Sequence, residues 1–527
     1  MKAKTLLYGG RILTQADGLA VDSMAVNRGL IVAVGNSLQH DPDLKNYYRI
    51  DLKKRTVVPG FVDAHTHFHY FARSLGMVDL VGLDSIEKCL ARIKKFAAGL
   101  PRRGWIVGGG YSPDRFKKRL EPDRRMLDRI CGGRPAFLFS KDQHTAWVNS
   151  RALELAGVTA KTPDPDGGHI DRDLRGEPTG VLRETAYRLV YTRIPAVSET
   201  SLRRLYRQAL DIAYRRGVTG VHSVDGPAGF TFFSKLAETG SLGLRINYYF
   251  PAEVLPELHR NRIRYGAGDD FLRVAGVKVF TDGSLGSQSA LCFNKYLGSA
   301  ANYGIETTPV KEIARIIKSA ARLGLPCAIH AIGDRAVANV LDAIEQTSPL
   351  KSGARHRIEH LQLVRRKDLA RLKRLRVVAS MQPSHCPSDI KLLRRYWGKR
   401  GANAFIFRTL IDRGIDLAFG SDAPIEPLDP IAGIAAAVRR ARPQSRDTFY
   451  PEQRITAAEA LYRFTVGPAV AVGQEHCRGY LLPGYPADFA VLSHDITQLP
   501  PARIGGTGVL ATVLDGKVKY AHHSLVL

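Results

Sequence analysis

The stretch Val57–His67, VVPGFVDAHTH, decides how the rest of the chain is read. Its first part is apolar and rich in β-branched residues, the composition of a buried strand. A strand projects residues i and i+2 from one face, so the imidazoles of His65 and His67 emerge together at its end. Two converging imidazoles are half of a transition-metal site. By themselves they are also compatible with ordinary core or surface histidines, so the deciding ligands must come from elsewhere in the sequence.

Seven further strand signals follow: TGVHSV, LRINYYF, LRVAGVKVF, LPCAIH, RHRIEH, RVVASMQ and IDLAFGSD. Between them lie helical stretches such as VKEIARIIKSAARLG and DRAVANVLDAIEQT, with apolar residues three and four apart. Strand then helix, eight times over, predicts an α/β protein built on a parallel (β/α)8 TIM barrel. The count closes only if residues from about 70 to 215 form an insertion after the first strand. That segment has its own strand signals, WIVGGGY and PAFLFS, and a loop-like run TPDPDGGHIDRD; it is read as a cap over the barrel mouth. Both chain ends are rich in short alternating strands. The hairpin signal Asp515-Gly516 sits within GVLATVLDGKVKYA. The two ends are expected to pair into one small β-sandwich, giving residues 1–58 as its first part, 59–475 as the barrel with its cap, and 476–527 as its second part.

Active sites of such barrels sit at the carboxyl ends of the strands. Besides His65 and His67, four strands end in metal-competent residues: Lys278 in VKVF, His330 in PCAIH, His360 in RIEH and Asp422 in FGSD. Each has a bland reading as a hydrogen-bonded histidine, a turn aspartate or a lysine paired to an acid such as Asp282. Jointly they face one mouth. A buried lysine is costly as a cation. Capture of CO2 by its amine would turn it into an anionic oxygen ligand able to bridge two metal ions.

PGFVDAHTH, VKVFTDGSLGS, HAIGD, IEH and GSDAP together resemble the amidohydrolase superfamily, and more closely its family 3 group, which includes enzymes like N-substituted formamide deformylase. SKDQHTAWVNS and GEPTGVLRE in the cap are similar to the same group, so the resemblance spans the whole chain. It implies that His65, His67 and Asp422 bind the more buried metal, that His330 and His360 bind the second, and that a carboxylated Lys278 bridges them. It also implies a hydrolase of carbon–nitrogen bonds other than peptide bonds, acting on an amide or an N-acyl or N-formyl amine. Divalent ions, two Zn2+ by ligand type, would ionise a water near neutral pH. Mn, Fe, Co and Ni suit the same ligands. Asp422 would serve as the proton shuttle. Deaminase branches carry a glutamate three residues after the strand-5 histidine; here that position is Gly333. Lactone or ester hydrolysis on the same site, or a noncatalytic metal-site regulator, are the alternatives.

Other positions are open to two readings. His144 in the cap and His385 in MQPSHCPSD are candidates for substrate binding or oxyanion stabilisation, or are packing histidines. Tyr111 and Trp147 are candidates for an apolar substrate wall, or are core. His69 extends HTHFH by another i+2 step and is expected to support the site from behind the ligands or to be structural; His222 is expected to support the site. Asp334 is expected to orient the strand-5 loop, and Gly283 and Gly286 to let the chain turn closely beside the site.

Composition excludes several classes. The 527 residues are 44% apolar and 24% charged, a globular balance. No apolar run reaches the roughly 18 residues of a membrane span, and the first residues lack a signal-peptide core. Six cysteines without a CxxC pair predict reduced thiols and a cytoplasmic protein. The net charge of +27 comes from scattered clusters, Lys94-Lys95, Arg102-Arg103, Lys117 to Arg119, Arg365 to Lys367 and Arg394-Arg395, several on helix-like stretches. They read as solvated faces, with no nucleic-acid motif beside them. The expected partner is a small-molecule substrate, with a homodimer the default for a soluble enzyme.

Overall fold

The computed structural model describes the whole chain except residues 101–103, 114, 115, 117–120, 142–144, 351, 446, 526 and 527. Its central element is an eight-stranded parallel sheet in sequence order: β1 Phe61–Thr66, β2 Val218–Ser223, β3 Arg245–Pro251, β4 Leu272–Phe280, β5 Cys327–Ala331, β6 Arg357–His360, β7 Val378–Met381 and β8 Leu417–Phe419. These strands are buried almost throughout, as a parallel sheet covered on both faces requires. Past the end of β8 the chain returns to β1. Asp422 N donates to His65 O at 2.7 Å, and His67 N donates to Ala423 O at 2.9 Å. Asp63 Oδ1 ties the same edges by accepting from His65 N at 3.1 Å and Ser421 N at 2.9 Å. The sheet is thereby closed into a (β/α)8 barrel. Helices such as Val310–Ala321 and Asp334–Glu345 cover it, each burying one apolar stripe.

The approach of β8 to β1 depends on Gly420. A Cβ there would lie 2.4 Å from His65 N and 2.7 Å from Asp63 Oδ1. Only a residue without a side chain lets the two strands meet.

The chain ends form two sheets. One orders Leu30–Gly35, Ser23–Asn27, Lys4–Tyr8 and Tyr48–Asp51. The other joins N-terminal to C-terminal strands: Thr56–Pro59 pairs antiparallel with Phe489–Leu492, Val58 opposite Ala490. Leu7, Met24 and Ile50 of the first sheet share a core with Val57, Val491 and Val513 of the second, so the ends make one sandwich. Asp515 and Gly516 both take positive φ between Val509–Leu514 and Lys517–Ala521, the hairpin turn that the sequence signals.

Residues Ala72–Ala209, inserted between β1 and β2, form a separate compact unit. Its six-stranded sheet includes Ile106–Tyr111, Ala136–Ser140, Thr145–Val148 and Pro178–Glu184. Within the run read as a loop, Gly168–Arg172 is a strand; the Asp164 side chain accepts from Ile170 N at 3.0 Å and starts it.

Candidate metal centre

Strand ends bring the predicted ligands together at the carboxyl mouth of the barrel. His65 is the penultimate residue of β1 and His67 is the first residue beyond it. Their Nε2 atoms each lie 3.4 Å from Asp422 Oδ1. His360, the last residue of β6, has its ring centroid 5.0 Å from that of His65 and 4.6 Å from that of His330. Donor atoms of His65, His360 and Asp422 all lie within 4.8 Å of one another. This cluster combines one residue of the second expected set, His360, with two of the first. His330 is turned partly aside: its Nε2 is 3.1 Å from Gly283 O and 3.4 Å from Asp282 Oδ1.

Two of the predicted ligands sit on strained backbone. His360 has φ 70° and Asp422 has φ 63°, in the left-handed region that side chains avoid. Each such residue costs on the order of 1–3 kcal/mol and persists where the surroundings force it. At His360 the consequence is directional. Consecutive residues of a regular strand point to opposite faces. The left-handed turn lets both Glu359 and His360 reach the site.

The donor set fits a divalent cation. Among the described residues, Lys278 Nζ, His360 Nδ1 and His385 Nε2 are buried without a hydrogen-bond partner. Orphaned polar atoms of this kind are rare in a native interior. Lys278 is 3% exposed, and its Nζ lies 4.5 Å from the Phe280 ring. Burial drives its pKa down to about 8, against the pull of Glu359 and Asp422. Asp282 does not pair with it, because that carboxylate accepts from Leu291 N, Ile332 N and Gly333 N. Burial opposes charge on Asp422, yet the bonds to His65 and His67 hold its carboxyl well below the usual range. Burial and the neighbouring His330 push His360 well below an ordinary imidazole, the unprotonated form that a metal needs.

Beneath the mouth lies a charged lattice that sequence reading missed. Arg357 donates Nη2 to Glu359 Oε2 at 2.9 Å and Nε to Glu359 Oε1, and Glu359 Oε2 is 2.5 Å from His65 Nδ1. Arg357 also reaches Ser380 Oγ at 3.0 Å and His222 Nδ1 at 2.8 Å. Burial and the Arg357 charge keep His222 neutral. The available signal was Arg357 and Glu359 at i and i+2 in a strand with no exposed position; two charges on one inward face are costly unless paired.

The secondary candidates divide. His385 begins the helix His385–Leu392, and its Nε2 is 3.7 Å from Asp422 Oδ2, so it belongs to the cluster. His144 lies outside the described residues. Tyr111 and Trp147 are no substrate wall: they are 1% and 0% exposed, meet edge to face with centroids 5.7 Å apart, and pack in the core of the inserted unit. His69 does not continue the strand, because the helix Phe68–Ser74 has begun. Its ring packs on Phe232 and Phe233, and Asp225 accepts from its backbone N at 2.9 Å. Asp334 accepts from Phe293 N at 3.0 Å and anchors the loop after β4. Gly283 is required, since a Cβ would lie 2.0 Å from Ser289 Oγ. Gly286 is not, since a Cβ there would meet no atom closer than 3.9 Å.

A (β/α)8 barrel with histidines and an aspartate converging at its carboxyl mouth defines a metal-dependent hydrolase. The chain matches the Amidohydrolase family over residues 49–520 and belongs to it. It is 32% identical over 529 residues to the putative amidohydrolase YtcJ of Bacillus subtilis (strain 168), covering 98% of this chain and 99% of that protein. It is 26% identical over 490 residues to the N-substituted formamide deformylase of Arthrobacter pascens, covering 89% of each. The crystal structure of an uncharacterized metal-dependent hydrolase from Pyrococcus horikoshii OT3 superposes with a TM-score of 0.80 at 30% identity, covering 94% of this chain and 99% of that one.

Proposed function

We propose that this hydrolase cleaves carbon–nitrogen bonds other than peptide bonds, in amides or N-acyl and N-formyl amines, with two Zn2+ ions and a carboxylated Lys278. The carrying observation is the place of Asp422: Oδ1 faces His65 and His67 at 3.4 Å each, while Oδ2 faces His385 Nε2 at 3.7 Å. His65, His67, His330, His360 and Asp422 would hold the divalent cations, which when bound would supply a water of lowered pKa and polarise a substrate carbonyl. Asp422 is ionised and accepts the proton released on attack, then delivers it to the departing amine. His385 Nε2, with no hydrogen-bond partner, is free to donate to the carbonyl oxygen as charge develops there, and His144 is the second candidate for that task. The neutral amine of Lys278 adds to CO2, losing one proton and becoming an anionic carbamate. Gly333, where a deaminase would carry its glutamate, and the deformylase relative favour the amide reading.

Small molecules are the proposed partners, rather than nucleic acid. Lys94 and Lys95 lie on the exposed face of an amphipathic helix; Arg365 pairs with Asp368 and Arg394 with Asp447, while 102, 103 and 117–119 lie outside the described residues. No helix among the described residues is long and apolar enough to cross a membrane. A cytoplasmic homodimer is the accompanying proposal. The test is a substrate panel on Zn2+-loaded protein: N-formyl and N-acyl amines against lactones, esters and dipeptides, with product amine quantified. Turnover of lactones or esters without any amide would refute the reading.

A further inference from the structure

We infer that Glu359, held by Arg357, is the positioning residue that fixes His65 as a metal ligand, with Nδ1 protonated and Nε2 presented to the Asp422 side. The inference rests on the ligand role proposed for His65. Glu359 is fully buried and His65 is 1% exposed, so water does not compete for either. An ionised carboxylate only accepts hydrogen bonds. At 2.5 Å from Glu359 Oε2, His65 Nδ1 must therefore carry the proton. In the neutral ring the lone pair is then on Nε2, the atom 3.4 Å from Asp422 Oδ1.

Glu359 is itself placed by three constraints. The β5–β6 register sets it beside His330, so it stands in the same layer as the ligands. Arg357, two residues earlier, shares its inward face and grips both carboxylate oxygens. The guanidinium is kept from rotating by Ser380 Oγ, by the carbonyl of Ala64 and by His222 Nδ1. Ala64 immediately precedes His65, so the same arginine fixes both the backbone before the ligand and the carboxylate on its ring. A buried ion pair serving only packing would need neither contact with β1.

The test is Zn2+ affinity by chelator competition on folded wild-type and Glu359→Gln protein, together with 15N NMR of neutral His65 in the metal-free wild type. Loss of a carboxylate behind a ligand histidine is expected to weaken metal binding about 10–100-fold. A purely structural pair would lower stability and leave the affinity of the folded fraction unchanged. The NMR spectrum is expected to show Nδ1 as the protonated nitrogen, and it decides the matter even if the variant fails to fold. Wild-type affinity in Glu359→Gln, or a proton on Nε2, overturns the inference while the metal reading stands. A wild-type protein that binds no Zn2+ overturns both.

Discussion

Lys278 should behave as a lysine of unusually low pKa, and its reactivity profile can show it. Burial lowers its pKa to about 8, with Glu359 and Asp422 only partly restoring the charge. At pH 7 such an amine is neutral in about one molecule in ten, against about one in three thousand for an ordinary lysine, so CO2 meets the reactive form ~300 times more often. The perturbation is pH, applied to metal-free protein in CO2-stripped buffer. The assay is initial-rate competitive acetylation read by mass spectrometry, with exposed lysines as internal reference. Labelling of Lys278 should rise tenfold per pH unit up to about pH 8 and then level, while exposed lysines keep climbing toward pH 10. Bicarbonate with Zn2+ should abolish the labelling of Lys278 alone. Stability carries the same signature. Between about pH 8 and 10.5 the folded state holds fewer protons than the unfolded chain, so the metal-free fold should gain stability as pH rises through that window. The full penalty, about 3 kcal/mol, applies below it. Lys278→Met should remove that slope. A labelling midpoint at pH 10 or above would refute the reasoning, because the site would then be wet enough to keep an ordinary ammonium.

Four further outcomes are expected. Asp422→Asn should cut kcat by about 10²–10⁴-fold with KM changed far less; steady-state kinetics on metal-quantified protein checks this, and near-full activity would dismiss the proton-transfer role. Gly420→Ala should cost about 1–3 kcal/mol by forcing a Cβ onto His65 N, read as a lowered thermal midpoint with reduced Zn2+ content. Trp147→Ala should cost about 3–5 kcal/mol within the inserted unit, and limited proteolysis should then nick 72–209 before the barrel. Removing metal by chelation should lower the thermal midpoint, and Zn2+ at about 100 times its Kd should restore about 2.7 kcal/mol; an unchanged midpoint would mean the cluster does not hold the ion in the folded state.

The barrel strands and the residues at their ends were legible because they are local patterns. A buried parallel strand is a short apolar run, and its end is marked by a polar residue within its last two positions; His65, His330 and His360 stand there in plain view. That the two chain ends pair with each other was also legible, since both carry the same alternation and need a partner; that Thr56–Pro59 meets Phe489–Leu492 was not. His69 has the structural role that was one of its two expected readings, but not on a strand: the two-residue period of the sequence continues past Thr66 while the backbone has already turned helical. Tyr111 and Trp147 were ambiguous because an aromatic ring looks alike in a core and in a pocket until its neighbours are known.

The sequence by itself determined the architecture and the candidate donor residues, because period and residue chemistry are written locally along the chain. Tertiary structure alone decided which atoms face which. The left-handed turns at His360 and Asp422 break the strand parity from which side-chain direction is inferred. The meeting of His65 with Glu359 joins residues 294 positions apart. Such contacts depend on barrel closure and on burial removing water from around a charge, and neither is a property of any short segment.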